Sequence, residues 1–293
     1  MKEYAIISDG SCDISFAEAK NLNIEIVPFN IEFNKETYKE GLDISVRDFY
    51  ELMIKHTGIF PKTSLPTVHD YQEVFRKYSA KDIDIICLCI TTKFSGSFNS
   101  ARMARDLVLE DYPEARITII DTTVNTVLQG LVVREAVRLR GLGYSYDSLV
   151  EAIEKKKATG RIFFTVKDLT YLQNGGRIGK VASIIGNILK ISPLITLKDG
   201  EIFSSGKAIS RVRSLASVKK IFRQYLEENK ALPEDYVLTV GYGYDIEEGS
   251  KFRDQLEQEF TGFKFGLDQI GATIACHTGP HPLGIGILKK LDK

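Results

Sequence analysis

The segment IACHTGPHPLGIG, residues 274–286, concentrates side chains that can do chemistry. His277 and His281 are four residues apart, which is the spacing of two metal ligands on one face of a helix. Gly279 and two neighbouring prolines exclude a regular helix between the histidines. No nearby set of cysteines or carboxylates completes a tetrahedral site, so we expect no metal centre here.

Cys276 directly precedes His277, and neighbouring residues in an extended segment point to opposite faces. A thiolate–imidazole pair is therefore not expected. A histidine base backed by a carboxylate would need that partner from elsewhere in the chain. What the segment does offer is an imidazole in a tight, glycine-rich turn. It would either donate a hydrogen bond to an anionic head group or have a purely structural role.

A second candidate site is KFSGSFNSA, residues 93–101. Gly96 allows the backbone to approach a ligand, and Ser95 offers a hydroxyl group in a turn that leads into a helix. The pattern lacks the GxxxxGK[ST] of a nucleotide-binding loop. It also lacks the glycine that precedes the serine in the G-x-S-x-G turn of many hydrolases. A serine nucleophile therefore has little support.

Thr63 lies in PKTSLPTVHDY, residues 61–71. We expect this segment to be a loop ahead of a helix near residues 70–78. The hydroxyl of Thr63 would either face a cleft or belong to a segment that only caps the helix.

A permanently charged side chain stands at a predicted turn in YLQNGGRIGK. Gly175 and Gly176 favour this turn, which would present the guanidinium of Arg177. Residues 181–191 are predicted to form an apolar helix rich in small residues, typical of a cavity wall or of a packed core. A second basic cluster, either a solvated face or a surface for a partner, consists of Lys207, Arg211 and Arg213.

Composition restricts the possible partners. Lysine plus arginine equals aspartate plus glutamate, at 39 each in 293 residues, so no net charge attracts nucleic acid or an anionic bilayer. No run reaches the roughly 18 apolar residues of a membrane span, and the first residues lack the pattern of a signal peptide. The four cysteines include no CxxC pair. We therefore expect a cytoplasmic protein that binds no nucleic acid and inserts into no membrane.

The elements that carry these side chains alternate between strand and helix in the first half of the chain. Strands are predicted at 4–7, 24–33, 83–90 and 115–121, and helices at about 97–112, 129–143 and 145–157. This alternation is typical of a parallel sheet. Serine, threonine and aspartate follow several of the strands, and ligands bind beyond the carboxyl ends of such strands.

The pattern changes after KKKATG, residues 155–160. An extended segment, a hairpin turning at Asp199-Gly200 and a mixture of helices and strands follow. The predicted helices cover 217–230 and 247–260, and the predicted strand covers 236–242. The fold class is therefore α/β with two domains. A Rossmann-like parallel-sheet domain is predicted at 1–157 and an α+β domain at 158–293.

A series of segments spans nearly the whole chain: IISDGSCDIS, TSLPT, FSGSFNSA, DTTVNTVLQG, DLTYLQNGGRIG with ILKISPLITLKDG, and HTGPHPLGIG. In this order they resemble the DegV family. The resemblance implies two α/β domains with a long-chain fatty acid held between and within them. It also implies a binding subunit that presents the acyl chain to a separate ATP-dependent fatty acid kinase subunit. Such a subunit has no catalytic residue, metal or cofactor of its own.

The resemblance also assigns site residues. The fatty-acid-binding residues would be Thr63, Ser95 and His277, with Gly96 and Thr278 beside them, and the contacts to the kinase subunit would be Arg177 with Arg211 or Arg213. The chain departs from the family pattern at Gly10, Cys12 and His281. These changes miss the proposed carboxylate contacts, but they could alter the shape of the junction between the domains.

Two other functions remain open at this stage. An enzyme would use His277 or Ser95 as a nucleophile on a small carbonyl or ester substrate, and it would need a carboxylate within hydrogen-bond reach of His277. A purely structural or protein-binding role would leave no internal apolar tunnel. Fatty-acid binding needs only hydrogen bonds for a buried carboxylate and apolar walls that contribute roughly 0.8 kcal/mol per methylene.

Overall fold

The computed structural model describes residues 2–184 and 191–293. The strands and α-helices up to residue 156 are, in order, β1 (Tyr4–Asp9), α1 (Phe16–Leu22), β2 (Glu25–Val27), β3 (Asn30–Phe33), β4 (Glu36–Lys39), α2 (Val46–Lys55), β5 (Lys62–Ser64), α3 (Val68–Ser79), β6 (Asp84–Cys89), α4 (Ser97–Asp111), β7 (Ile117–Asp121), α5 (Thr126–Gly141) and α6 (Tyr146–Lys156). Those that follow are β8 (Arg161–Thr165), α7 (Thr170–Asn174), β9 (Ser192–Lys198), β10 (Glu201–Ala208), α8 (Arg211–Glu228), β11 (Tyr236–Tyr242), α9 (Ile246–Glu259), β12 (Gly266–Gln269), α10 (Ala272–Thr278) and β13 (Leu283–Lys289).

The first sheet is parallel, with the strand order β2-β1-β6-β7. Every residue of β1 and β6 is buried, as their unbroken apolar runs predict. Helices α3 and α4 cover one face around Phe75 and Ala104, and α5 covers the other around Leu128 and Val132. The predicted α/β class and the parallel N-terminal sheet are confirmed.

Helix α5 lies between the two larger sheets and contacts β1, β11 and β13. Most of its residues are buried, which explains why its sequence is apolar on nearly every side. The helix begins at Thr126, and this start faces the space between the two sheets. The next helix, α6, is capped by Ser145, whose hydroxyl accepts a hydrogen bond from the Ser148 amide at 3.2 Å.

A small sheet of order β4-β3-β5 stands apart from the two larger ones. The extended segment predicted at 24–33 is divided at Pro28, because β2 belongs to the parallel sheet and β3 to this small sheet. The prediction that Thr63 lies in a loop is wrong. Thr63 is the central residue of β5 and pairs with Ile31 of β3, so its backbone is held in a fixed register.

The third sheet contains six strands in the order β10-β9-β8-β13-β11-β12. The predicted hairpin is confirmed: β9 and β10 are antiparallel, and Asp199 and Gly200 both have positive φ. Helices α8 and α9 cover this sheet through an aromatic cluster around Phe222 and Phe260. Helix α8 begins at Arg211, six residues before the predicted start, because Ser210 caps it there.

The segment that precedes and includes His277 is helical, and the prediction of an extended segment is wrong. Residues Ala272–Thr278 form α10, which ends where Gly279 adopts a φ of 75°. Glycine tolerates this left-handed conformation at low cost. The strand β13 follows the turn and contributes the centre of the six-stranded sheet.

The helix predicted at 181–191 is only partly covered by the description. Residues Gly179–Ile184 form a 3₁₀ helix, and 185–190 lie outside the described residues. Among residues 2–184 and 191–293, no helix combines the length and apolar character that crossing a bilayer requires. The division of the chain between residues 157 and 158 stays a prediction. Helix α10 comes from the later half but packs against β3 and α2 of the earlier half.

Candidate functional site

A cavity of about 340 Å³ lies between the parallel sheet and the six-stranded sheet. This volume is large compared with the roughly 10–15 Å³ that a single water molecule needs in the same measure. Most of its walls are apolar side chains: Phe29, Leu65, Ile90, Phe94, Val127, Ile162, Phe164, Leu172, Leu197, Ile202, Ile270, Ile274 and Leu283. Concave apolar cavities with a few polar groups are typical of ligand-binding sites.

Two of the predicted site residues meet in the wall of this cavity. The hydroxyl of Thr63 and Nε2 of His277 are 3.0 Å apart and form a hydrogen bond. Thr63 reaches this point from β5, and His277 reaches it from the last turn of α10. When Nε2 of the neutral imidazole carries the proton, it donates to the Thr63 hydroxyl, and the hydroxyl hydrogen is then free to donate to a ligand oxygen.

His277 is neutral at physiological pH. Burial of the ring, aided by the positive charge of Arg177, lowers the pKa of His277 to about 4. The imidazole therefore supplies a hydrogen bond to the cavity but no full charge. Any positive charge for an anionic ligand must come from a neighbouring group.

The ring of His277 packs closely against Gly175. A Cβ atom at position 175 would lie 2.2 Å from Nδ1 of His277, so only glycine fits there. The same Nδ1 atom is buried and has no hydrogen-bond partner among the described residues. The turn that sequence analysis singled out thus forms one wall of the imidazole pocket.

Arg177 also lines the cavity. Its guanidinium donates to the carbonyl oxygen of Phe94 at 3.2 Å and to that of Gly175 at 2.7 Å. These contacts tie Arg177 to the histidine pocket on one side and to the chain next to Ser95 on the other. The family resemblance implies that Arg177 contacts a protein partner. That role stays a prediction, and the structure adds that this cation is half-buried beside His277.

Ser95 lines the same cavity at the turn before α4. Its hydroxyl accepts a hydrogen bond from the Ser97 amide at 3.2 Å. Ser97 is held in turn by the buried carboxylate of Asp9, to which its hydroxyl donates at 2.8 Å, and by the hydroxyl of Tyr71 at 2.6 Å. Asp9, the last residue of β1, therefore stabilises the Ser95 turn through Ser97.

Two other predicted site residues have smaller roles in the geometry. Thr278 lines the cavity, but its hydroxyl donates to the carbonyl oxygens of Ile274 and Gly279 at 3.2 and 3.3 Å. Gly96 is not among the described residues that line the cavity. A Cβ atom at Gly96 would lie 3.3 Å from the side chain of Leu65, which does line it.

Arg211 and Arg213 are not among the described residues that line the cavity. Arg211 is held by Glu248 through two hydrogen bonds of 2.7 and 2.6 Å. Arg213 is exposed in the first turn of α8. Both residues lie on the outside of the six-stranded sheet, where their predicted role as partner contacts remains open.

Polar residues that were not predicted as site residues line the cavity at the starts of two helices. Asn125 and Thr126 stand at the start of α5, and Thr273 stands in the first turn of α10. Asn125 makes no capping hydrogen bond. Its motif, DTTVNTVLQG, was noted in the sequence, but nothing in the local pattern shows that this helix start faces a cavity.

The three residues that depart from the family pattern differ in burial and packing. Cys12 is fully buried, and burial raises the pKa of its thiol to about 12. A Cβ atom at Gly10 would lie 3.4 Å from the backbone of Phe29, which is an ordinary van der Waals contact, so the space at this position does not require glycine. His281 is partly buried, and burial together with the charge of Lys167 lowers its pKa. It makes no described contact with His277.

The fold and the cavity define an α/β protein with an apolar binding cavity between two sheets and a hydrogen-bonding histidine in its wall. The chain belongs to the DegV family, described as "Uncharacterised protein, DegV family", whose model matches residues 3–290. A DegV domain-containing protein from Clostridium perfringens is 30% identical over an alignment of 291 residues that covers 98% of this chain and 98% of the relative.

The solved structures that are similar over nearly their full length include the following two. The stearic-acid-binding protein from Eubacterium ventriosum is 40% identical, covers 99% of both chains and has a TM-score of 0.92. DegV from Bacillus subtilis, described as a fatty acid binding protein, is 26% identical with a TM-score of 0.85. It covers 99% of this chain and 100% of its own.

Proposed function

We propose that this protein binds one long-chain fatty acid, with the acyl tail in the apolar cavity and the carboxylate at Thr63, Ser95 and His277. The observation that carries this proposal is the cavity itself: its walls are mostly apolar, and these three hydrogen-bonding groups belong to its lining. The similarity to a stearic-acid-binding protein at 40% identity supports the same ligand class.

The chemistry of the lining suits a carboxylate head group. Removing a carboxylate from water is costly unless hydrogen bonds replace its hydration, and two hydroxyls and an imidazole provide them. Arg177 adds a positive charge beside the neutral His277, which offsets the negative charge of the ligand. The tail gains roughly 0.8 kcal/mol for each methylene group that leaves water.

We further propose that the bound fatty acid is phosphorylated on its carboxylate by a separate ATP-dependent kinase subunit. Arg213 and its exposed neighbour Val212 are the contacts that we assign to this partner, with Arg211 fixed behind them by Glu248. Arg177 would contact the partner only where the cavity opens to it. The family resemblance supports this role.

The alternative of an enzyme with His277 or Ser95 as nucleophile has less support. Among the described residues, the hydrogen-bond partner of His277 is Thr63, and no carboxylate hydrogen-bonds to the ring. The Ser95 hydroxyl accepts from a backbone amide and contacts no described base. A role in binding and presenting a ligand accounts for these groups without a catalytic step.

Native mass spectrometry of protein purified without detergent tests the binding proposal. We expect one additional mass per chain that corresponds to a fatty acid, and its identification after organic extraction. Stripped protein should take up stearate again with one-to-one stoichiometry. Protein that carries no acyl chain and takes up none would contradict the proposal.

A separate assay tests the role in phosphorylation. The loaded protein is mixed with a purified fatty acid kinase subunit and labelled ATP, and acyl phosphate is measured. We expect product only when both proteins are present and a lower rate for Arg213→Ala, whose substitution leaves the cavity unchanged. Equal rates with and without the loaded protein would contradict this role.

A further inference from the structure

Helix α10 is held at both ends by the small three-stranded sheet. At its last turn, His277 bonds to Thr63 of β5. At its start, the backbone amides of Ala272 and Thr273 donate to the carboxylate of Glu40, which directly follows β4. Strands β4 and β5 flank the same central strand, β3. The small sheet and the residue that follows β4 therefore hydrogen-bond to α10 at both ends of the helix.

The contact at Glu40 is unusually complete. Glu40 is buried, and its oxygens accept from the amide of Ala272 at 2.5 Å and from that of Thr273 at 3.0 Å. The Thr273 hydroxyl donates to the same carboxylate. The first backbone amides of a helix have no hydrogen-bond partner within the helix, so a carboxylate placed there provides their missing acceptor. Its negative charge also interacts favourably with the positive end of the helix dipole.

Ile274 of α10 packs in an apolar cluster with Phe29 and Ile90, but the face of the helix toward α2 and β3 carries only small side chains. This face consists of Ala272, Ala275 and Cys276, packed against the aromatic side chains of α2 and β3. Small side chains allow close approach but resist sliding and rotation less than large ones. A further hydrogen bond holds the chain two residues before the helix, where the hydroxyl of Tyr50 donates to the carbonyl oxygen of Ile270 at 2.9 Å.

We propose that Glu40 is a positioning residue for ligand binding: by anchoring the first turn of α10, it holds the imidazole of His277 against Thr63 and Gly175 in the cavity wall. The inference rests on the proposed function for its effect on a fatty acid. The placement of the imidazole itself can be tested without a ligand. Glu40 does not line the cavity among the described residues, so it acts through α10.

Close packing around the carboxylate leaves it little freedom to move. A Cβ atom at Gly271 would lie 2.5 Å from Oε1 of Glu40 and 2.9 Å from Oδ1 of Asp13. The two carboxyl groups therefore share a narrow space over the start of α10. Glutamine at position 40 would replace one of the two accepting oxygens by an NH₂ group, which is a donor, so at least one of the bonds from Ala272 or Thr273 would be lost.

The test uses Glu40→Gln, with Glu32→Gln as the matched control on the exposed side of β3. The pKa and the ring nitrogen shifts of His277 are measured by NMR in protein without ligand. For Glu40→Gln we expect the pKa to rise from about 4 toward the ordinary value near 6.5, because the ring leaves its buried position. The control should retain the original value. An unchanged pKa in Glu40→Gln would overturn the inference.

A double-mutant cycle with His277→Gln measures the effect on the fatty acid. We expect Glu40→Gln to weaken stearate binding roughly tenfold in the wild-type background and less than about twofold when His277 is already replaced. Equal losses in both backgrounds would show that Glu40 acts independently of His277 and would overturn the inference.

Two further controls keep the test decisive. If Glu40→Gln does not fold, Glu40→Asp retains the charge but shortens the side chain by one methylene. It should shift the His277 pKa in the same direction by a smaller amount, and no shift would overturn the inference. If the wild-type protein binds no stearate, the proposed function fails, while the NMR measurement still decides whether Glu40 positions His277.

Discussion

Nε2 of His277 lies 3.0 Å from the hydroxyl of Thr63, although 214 residues separate the two in the chain. Thr63 comes from a strand of the small sheet, and His277 comes from a short helix near the end of the chain. Their contact closes the wall of an apolar cavity between the two larger sheets. A neutral imidazole and a hydroxyl in this position provide hydrogen bonds for a ligand oxygen.

The first prediction concerns the carboxylate contacts. Replacing Thr63 and Ser95 together by alanine removes two hydroxyls from the cavity lining, and we expect stearate affinity to fall roughly tenfold to a hundredfold. Titration with a fluorescent fatty acid measures this change. Thr37→Ala, on the exposed strand β4, serves as the control and should bind as the wild type does. Unchanged affinity in the double variant would show that the head group lies elsewhere.

The second prediction concerns the pH dependence of stability. Native His277 stays neutral down to about pH 4, whereas the unfolded state takes up a proton below about pH 6.5. The unfolded state therefore binds more protons between these values, and the free energy of unfolding falls as the pH falls through this window.

His277→Gln should remove this contribution. We expect the difference in unfolding free energy between wild type and variant to change by up to about 3 kcal/mol between pH 7 and pH 4. Urea unfolding at a series of pH values measures it, and the contributions of other titrating groups cancel in the difference. Parallel profiles for the two proteins would contradict a lowered pKa of His277.

The third prediction concerns the close contact between Gly175 and the imidazole. An alanine Cβ at position 175 would lie 2.2 Å from Nδ1 of His277, so the ring must move. We expect Gly175→Ala to weaken stearate binding and to disturb the ring resonances of His277 in NMR spectra. Gly141→Ala, where a Cβ meets no atom within 4 Å, is the matched control. A variant with wild-type affinity would mean that the ring position is not needed for binding.

The fourth prediction concerns the buried carboxyl group of Asp13. Burial raises its pKa well above the ordinary value, the Thr126 hydroxyl lowers it, and the charge of Glu40 raises it further. The native state thus keeps a proton that the unfolded state releases above about pH 3.8, so this group's contribution to stability decreases as the pH rises.

Asp13→Asn mimics the neutral carboxyl group at every pH. Relative to the wild type, the variant should gain stability between pH 4 and pH 7, as measured by urea unfolding. If the variant instead loses stability relative to the wild type as the pH rises, Asp13 is ionised in the native protein and its charge is stabilising.

Most of the fold could be predicted because local patterns determine its larger elements. The unbroken apolar runs of β1 and β6 require cover on both faces, which a parallel sheet between helices provides. The hairpin at Asp199-Gly200 follows from residues that adopt positive φ. The family resemblance, rather than any periodicity, selected Thr63, Ser95 and His277, and the structure brings all three into one cavity lining.

The short elements around the site could not be predicted. Helix α10 has only seven residues, and isolated helices of this length are unstable in water. Glu40 provides its capping interactions from 232 residues away. Strand β5 has three residues and is defined by its pairing with β3. In both cases the stabilising partners are distant in sequence, so no local pattern indicates them.

The sequence by itself therefore determined the α/β class, the large strands and helices, and the family to which the chain belongs. Each of these depends on residue patterns within single segments or on their order along the chain. Only the tertiary structure decided that His277 sits on a helix, that Arg177 lies beside it in the cavity wall, and that Glu40 holds the start of that helix. Hydrogen bonds and burial between distant segments set these positions, and their energies depend on distances that a linear sequence does not contain.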